Sequence, residues 1–94
     1  MARKSQDARK RFAANVERLR RQHDYSTEQL AERSRLGEER LAAILRGDEE
    51  ADFDSIYRLA GSLDVTPGEL YDGIAWIPDG EGGGEYRIEE PPGD

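Results

Sequence analysis

The sequence predicts a small, mainly helical domain of five helices closed by a C-terminal β-hairpin. Apolar residues recur at helical spacing in short stretches, and recognisable helix starts and stops separate those stretches. Two β-prone runs then flank a glycine-rich stretch near the end. At 94 residues the chain has room for one compact core.

Each element has its own local reason. A first helix is predicted over 7–23, where Phe12, Val16, Leu19 and His23 share one face. Its other faces carry Arg9, Lys10, Arg11, Arg18, Arg20 and Arg21. Ser26-Thr27-Glu28-Gln29 is a capping box, in which Ser26 accepts from the Gln29 amide and the Gln29 side chain reaches back. It opens a short helix with Leu30 and Ala31 inward, ending near Ser34. Arg35-Leu36-Gly37 reads as a three-residue turn. A second short helix over 38–46 turns Leu41, Ile44 and Leu45 inward and stops at Gly47. The acidic connection 48–52 leads to a fourth helix capped by Asp52, with Phe53, Ile56, Leu59, Ala60 and Leu63 as its inward set. Thr66-Pro67-Gly68-Glu69 places Thr at N-cap, Pro at N1 and Glu at N3 of a brief fifth helix. The runs 74–78 and 85–89 flank Asp79-Gly80-Glu81-Gly82-Gly83-Gly84, which predicts a hairpin with a loose loop. The chain thus divides into a flexible basic N-terminus (1–6), a helical domain (7–73), a hairpin extension (74–89) and a flexible acidic tail (90–94).

Charge is divided along the chain. The formal net charge is −7, yet 12 of the 14 Lys/Arg lie within 1–46 and 14 of the 21 Asp/Glu lie beyond it. Attraction to a polyanion depends on the local face rather than on the total. The absence of cysteine excludes disulfides, thiolate metal sites and cysteine nucleophiles. No apolar run approaches the roughly 18 residues of a membrane span, and the basic N-terminus lacks the apolar stretch of a signal peptide. A cytoplasmic protein with no membrane association is expected. Nothing points to an enzyme, a cofactor or a metal. His23, the single histidine, reads as a favourable group at a helix C-terminus, and the carboxylates are dispersed without an apolar pocket to tune them. Gly82-Gly83-Gly84 has neither the Lys-Ser/Thr nor the following helix of a phosphate loop.

Two short helices joined by a tight turn hold the second of them proud of the core, where its N-terminus can enter a major groove. Residues 12–71 resemble the phage repressor/Cro-type helix-turn-helix family, also called the xenobiotic-response-element family. The resemblance rests on Leu19-Arg20, on Ser26 through Ala31, on Leu36, Ile44 and Gly47, and on the run from Ile56 to Leu70. It implies a repressor-like five-helix bundle that binds double-stranded DNA. Base-facing positions would be Gly37, Glu38, Glu39, Arg40 and Ala43, with backbone contacts from Ser26, Thr27 and Arg46.

The chemistry of these positions leaves alternatives. Arg40 either reads guanine through O6 and N7 or pairs with nearby carboxylates. Glu38 and Glu39 either accept from cytosine N4 or simply offset a helix dipole. Ala43 offers a methyl contact or clearance, and Thr27 can present its hydroxyl and N–H to a phosphate.

Two departures from the family pattern stand out. Leu45 occupies a place where the family often has a glutamate paired with an arginine like Arg20, so Arg20 needs another partner or points outward towards phosphate. Asp48, Glu49, Glu50, Asp52 and Asp54 stand where basic or polar residues are common, which predicts weaker DNA binding. The resemblance also implies a homodimer, because one module reads few base pairs. Trp76, Ile77, Tyr86 and Ile88 are the candidate dimer contacts; otherwise they cover the end of the bundle. No effector pocket is legible. The competing class is a protein-interaction module, antitoxin-like or antirepressor-like, whose acidic half docks a basic protein partner.

Overall fold

A computed structural model describes residues 5–89. Its elements are α1 (Ser5–Gln22), α2 (Thr27–Ser34), α3 (Glu38–Leu45), α4 (Phe53–Ser62), α5 (Pro67–Leu70), β1 (Ile74–Pro78) and β2 (Gly84–Ile88). The order and type of every element match the sequence reading. The first helix begins earlier than predicted, so Ser5 and Gln6 are helical, and residues 1–4 and 90–94 lie outside the described region.

α1 buries Phe12, Ala13, Val16 and Leu19 along the stripe set by their spacing, while His23 lies beyond the helix end and is exposed. Asn15 falls on the same stripe and is fully buried. A buried amide needs partners. Its Nδ2 donates to the carbonyls of Leu70 and Asp72, both at 2.9 Å, which ties α1 to the end of α5. The core joins this stripe to Leu30, Ala31, Leu41, Ile44, Leu59, Ala60, Leu63 and Leu70.

Capping sets most of the boundaries. Ser26 Oγ accepts from the Gln29 amide at 3.0 Å, and Gln29 Oε1 accepts from the Ser26 N–H at 2.8 Å. Asp52 accepts from the Ser55 amide at 2.8 Å, and Glu69 from the Thr66 N–H at 3.1 Å. Each satisfies amides that a helix start leaves without an internal partner.

Phe53 departs from the sequence reading: it is 74% exposed instead of inward. Side chains tilt towards the N-terminus of their helix, so a residue in the first turn projects past the end of the packed face. Ala51, on the chain entering α4, joins the core instead. The Phe53 ring lies against Tyr57, centroids 4.6 Å apart, on the outer side of α4.

The hairpin pairs Ile74 with Ile88 and Trp76 with Tyr86 in antiparallel register, so these four share one face. Ile77 and Arg87 stand on the other. A two-stranded sheet is marginal alone, and here it lies against α1, with Ile74 packed on the core. Arg11 Nε donates to the Asp72 carbonyl at 3.1 Å, and the Glu89 amide to Gly73 at 2.8 Å. A cleft of about 90 Å³ remains between hairpin, α1 and the 48–52 connection, with Phe12, Tyr71 and Tyr86 among its walls. It is well below the roughly 300 Å³ at which small-molecule pockets begin.

Candidate nucleic-acid interface

The turn between α2 and α3 is built from backbone conformations that few residues tolerate. Arg35 closes α2 in the left-handed region at φ 62°, its N–H donating to the Glu32 carbonyl. Gly37 precedes α3 at φ 86°, ψ 155°, a conformation essentially confined to glycine. Gly37 brings no side-chain cap, so the first N–H groups of α3 stay open to solvent or a ligand. Leu41 and Ile44 anchor α3 in the core at 1% exposure each. Gly37, Glu38 and Glu39 are exposed on the other side, with Arg40 and Ala43 half-buried beside them.

Among the predicted backbone contacts, Thr27 and Arg46 share an open groove with Glu38, Ala42 and Leu45. Ala42 belongs to this face and was not singled out by the sequence reading. The Ser26 hydroxyl is engaged in its cap, though the residue is exposed at the same helix start. Glu38 and Glu39 stand in the first turn of α3, where carboxylates offset the positive end of the helix.

The arginines of this face are held by the acidic connection. Arg40 Nε lies 3.1 Å from Glu49 Oε2 in an ion pair without hydrogen-bond alignment, and Nη2 lies 3.8 Å from Asp52 Oδ2. The Arg40 side chain is 39% exposed. Arg46 donates to Asp48 at 2.8 Å. Hydrogen bonds from Ser55, and more weakly the charge of Arg40, hold the Asp52 carboxyl below its ordinary range. A half-exposed ion pair contributes about 0.2–1 kcal/mol. A bidentate arginine–guanine contact discriminates by about 1–3 kcal/mol. The pairing is thus too weak to hold Arg40 against a well-placed guanine.

Arg20 does not point outward to phosphate. It grips Glu17 with Nε at 3.1 Å and Nη2 at 2.8 Å, and donates from Nη1 to the Tyr25 carbonyl at 2.6 Å. Its side chain is only 16% exposed. Glu17, one turn back on α1, takes the role that Leu45 cannot fill, and the hydrogen bond from Arg20 holds its carboxyl low. His23 Nε2 lies 2.6 Å from the Leu63 carbonyl, which only accepts, so this nitrogen carries the proton. Among the described residues no cluster of His, Cys, Asp or Glu is arranged to hold a metal ion, and no helix is long and apolar enough to cross a membrane.

An exposed second short helix, seated by a tight turn on a capped partner, defines the helix-turn-helix class. Residues 16–70 match the helix-turn-helix family HTH_3, and the chain belongs to it, the Cro/C1 type of DNA-binding transcription regulator. The restriction-modification controller protein C.AhdI from Aeromonas hydrophila is 30% identical, with a TM-score of 0.65 over 67% of this chain and 96% of that one. The hypothetical transcription factor NHTF from Neisseria is 25% identical, with a TM-score of 0.67 over 76% and 80% of the two chains. The clp gene regulator ClgR from Corynebacterium glutamicum shares the fold at 21% identity, with a TM-score of 0.63 over 67% of each chain. Among curated proteins no relative matches.

Proposed function

We propose that the protein is a sequence-specific transcriptional regulator that places α3 in the DNA major groove. The observation that carries this reading is the two-sidedness of α3: Leu41 and Ile44 are buried while Gly37, Glu38 and Glu39 stand exposed, with Arg40 beside them. Thr27, the first residue of α2, is exposed and lines the same groove, where its hydroxyl can meet a phosphate. Selection from random duplexes by the full chain, followed by sequencing, tests it. A narrow motif is expected, and Arg40→Ala should lose enrichment at one or two positions without a change in melting temperature. Absence of any enriched motif would overturn the reading.

The active form in this proposal is a homodimer, since one α3 reads too few base pairs for useful specificity. Two outward aromatic faces are available. Trp76 is 52% exposed, but its ring already lies edge-on to Tyr86 at 5.1 Å and covers Gly84. Phe53 is 74% exposed, and the Tyr57 ring it lies against is itself exposed. The α4 face is therefore preferred over the hairpin residues Trp76, Ile77, Tyr86 and Ile88. Sedimentation of Phe53→Ala and Trp76→Ala separates them: the first shifts towards monomer, and a shift in the second alone would return the contact to the hairpin.

The pairing of Arg40 and Arg46 with carboxylates favours a second reading, an interaction module that uses its acidic half against a basic protein. That reading predicts no enriched motif in the same selection.

A further inference from the structure

We infer that Glu49 and Asp52 form an internal latch that holds the Arg40 guanidinium off the groove-facing side of α3, so that this latch sets discrimination between matched and unmatched DNA. The inference rests on the DNA-binding reading above. Its geometric basis is independent of that reading. Arg40 Nε lies 3.1 Å from the Glu49 carboxylate and Nη2 lies 3.8 Å from that of Asp52. Both acids belong to the connection leaving α3, and its start is fixed close to the helix by bonds from the Asp48 and Glu49 amides to the Ala43 carbonyl at 3.0 and 3.4 Å. Asp52 is held in turn as the N-cap of α4. The latch is therefore anchored at both ends.

The chemistry gives it selectivity. Two carboxylates surround the guanidinium with the same negative charge as two phosphates. A phosphate backbone met at random gains little by exchanging one set of anionic oxygens for another. A guanine presenting O6 and N7 in a fixed fork replaces the latch with a bidentate contact. Arg40 is thereby kept from contributing to non-specific binding and is freed where the sequence fits. Glu49 and Asp52 act as positioning residues, through Arg40.

The test uses the full chain, a duplex recovered by selection and a scrambled duplex of the same composition, with binding followed by fluorescence anisotropy. Glu49→Gln keeps the side-chain shape, and Asp52→Asn keeps an N-cap. Glu50→Gln removes the same charge from the same connection without touching Arg40. Each latch variant is expected to raise affinity for the scrambled duplex about threefold beyond the gain from Glu50→Gln, and so to lower the matched-to-scrambled ratio. In an Arg40→Ala background that excess is expected to vanish. Equal gains for Glu49→Gln and Glu50→Gln, or an excess that survives Arg40→Ala, would overturn the latch. If no duplex binds any variant, the DNA-binding reading fails, and the latch is decided without DNA. Solvent exchange of the Arg40 Nε–Hε resonance is expected to be slower than that of the exposed Arg35 and to speed up in Glu49→Gln, and exchange as fast as that of Arg35 would refute it.

Discussion

The two short helices of the motif are the same length, eight residues each, and are held in opposite ways. α2 is closed at both ends by its own chain, through the Ser26–Gln29 box and the left-handed Arg35 cap. α3 opens on Gly37 with no side-chain cap, and the acidic connection that follows it pairs with its arginines. Under the proposed function the difference separates support from probe. α2 uses its polar groups internally and fixes the turn. α3 leaves its first amides without a side-chain cap, and its arginines meet only half-exposed carboxylates that a ligand could displace.

The comparison can be broken in graded steps. The largest effect belongs to the shared core. Leu30→Ala, at a fully buried α2 position, should lower unfolding free energy by about 2–5 kcal/mol in urea titration. A much smaller loss would show that α2 is not the support. Next comes Gly37→Ala, which forces a non-glycine residue to φ 86°, ψ 155° and should cost about 1–3 kcal/mol. A Cβ there meets nothing within 4 Å, so the cost is conformational rather than steric contact with the fold. Ser26→Ala follows, at about 1 kcal/mol from the lost cap. If Ser26→Ala proved costlier than Gly37→Ala, the strain would lie at the wrong end of the turn.

The smallest expected effect is acid dependence. Glu17 titrates below its ordinary 4.5 because Arg20 hydrogen-bonds its ionised form. A depressed folded pKa contributes stability that is present above the ordinary value and lost as pH falls through the folded one. Melting temperatures taken downward from about pH 6 should therefore fall below about pH 4.5, and fall less steeply in Glu17→Gln. Parallel slopes would remove Glu17 from the account.

Most of the fold was legible because its punctuation is local. Ser26 with Gln29, Asp52, and Thr66 with Glu69 declare helix starts within four residues. The hairpin runs are read from composition beside the glycines. What escaped depends on how separate elements close on one another. The fate of Phe53 is set by where the packed face of α4 ends, and its spacing alone places it wrongly inside. Pairing with nearby carboxylates is one of the two sequence readings of Arg40, but that the partners are Glu49 and Asp52 depends on the connection folding back along α3, and no periodicity encodes that return. Two features lay within reach of a closer reading. Asn15 sits on the buried stripe between Phe12 and Leu19, where an amide signals a tied core, and Glu17 stands three residues before Arg20, at ion-pair spacing.

The central claim is that the exposed side of α3 meets DNA while α2 seats it. A titration of the isotopically labelled full chain with its selected duplex, followed by amide chemical shifts, tests this residue by residue. The account predicts the largest changes at Thr27 and from Gly37 to Ala43, with Leu59 and the hairpin little affected. Changes concentrated in the hairpin or on the acidic half, with Gly37 to Ala43 unmoved, would contradict it.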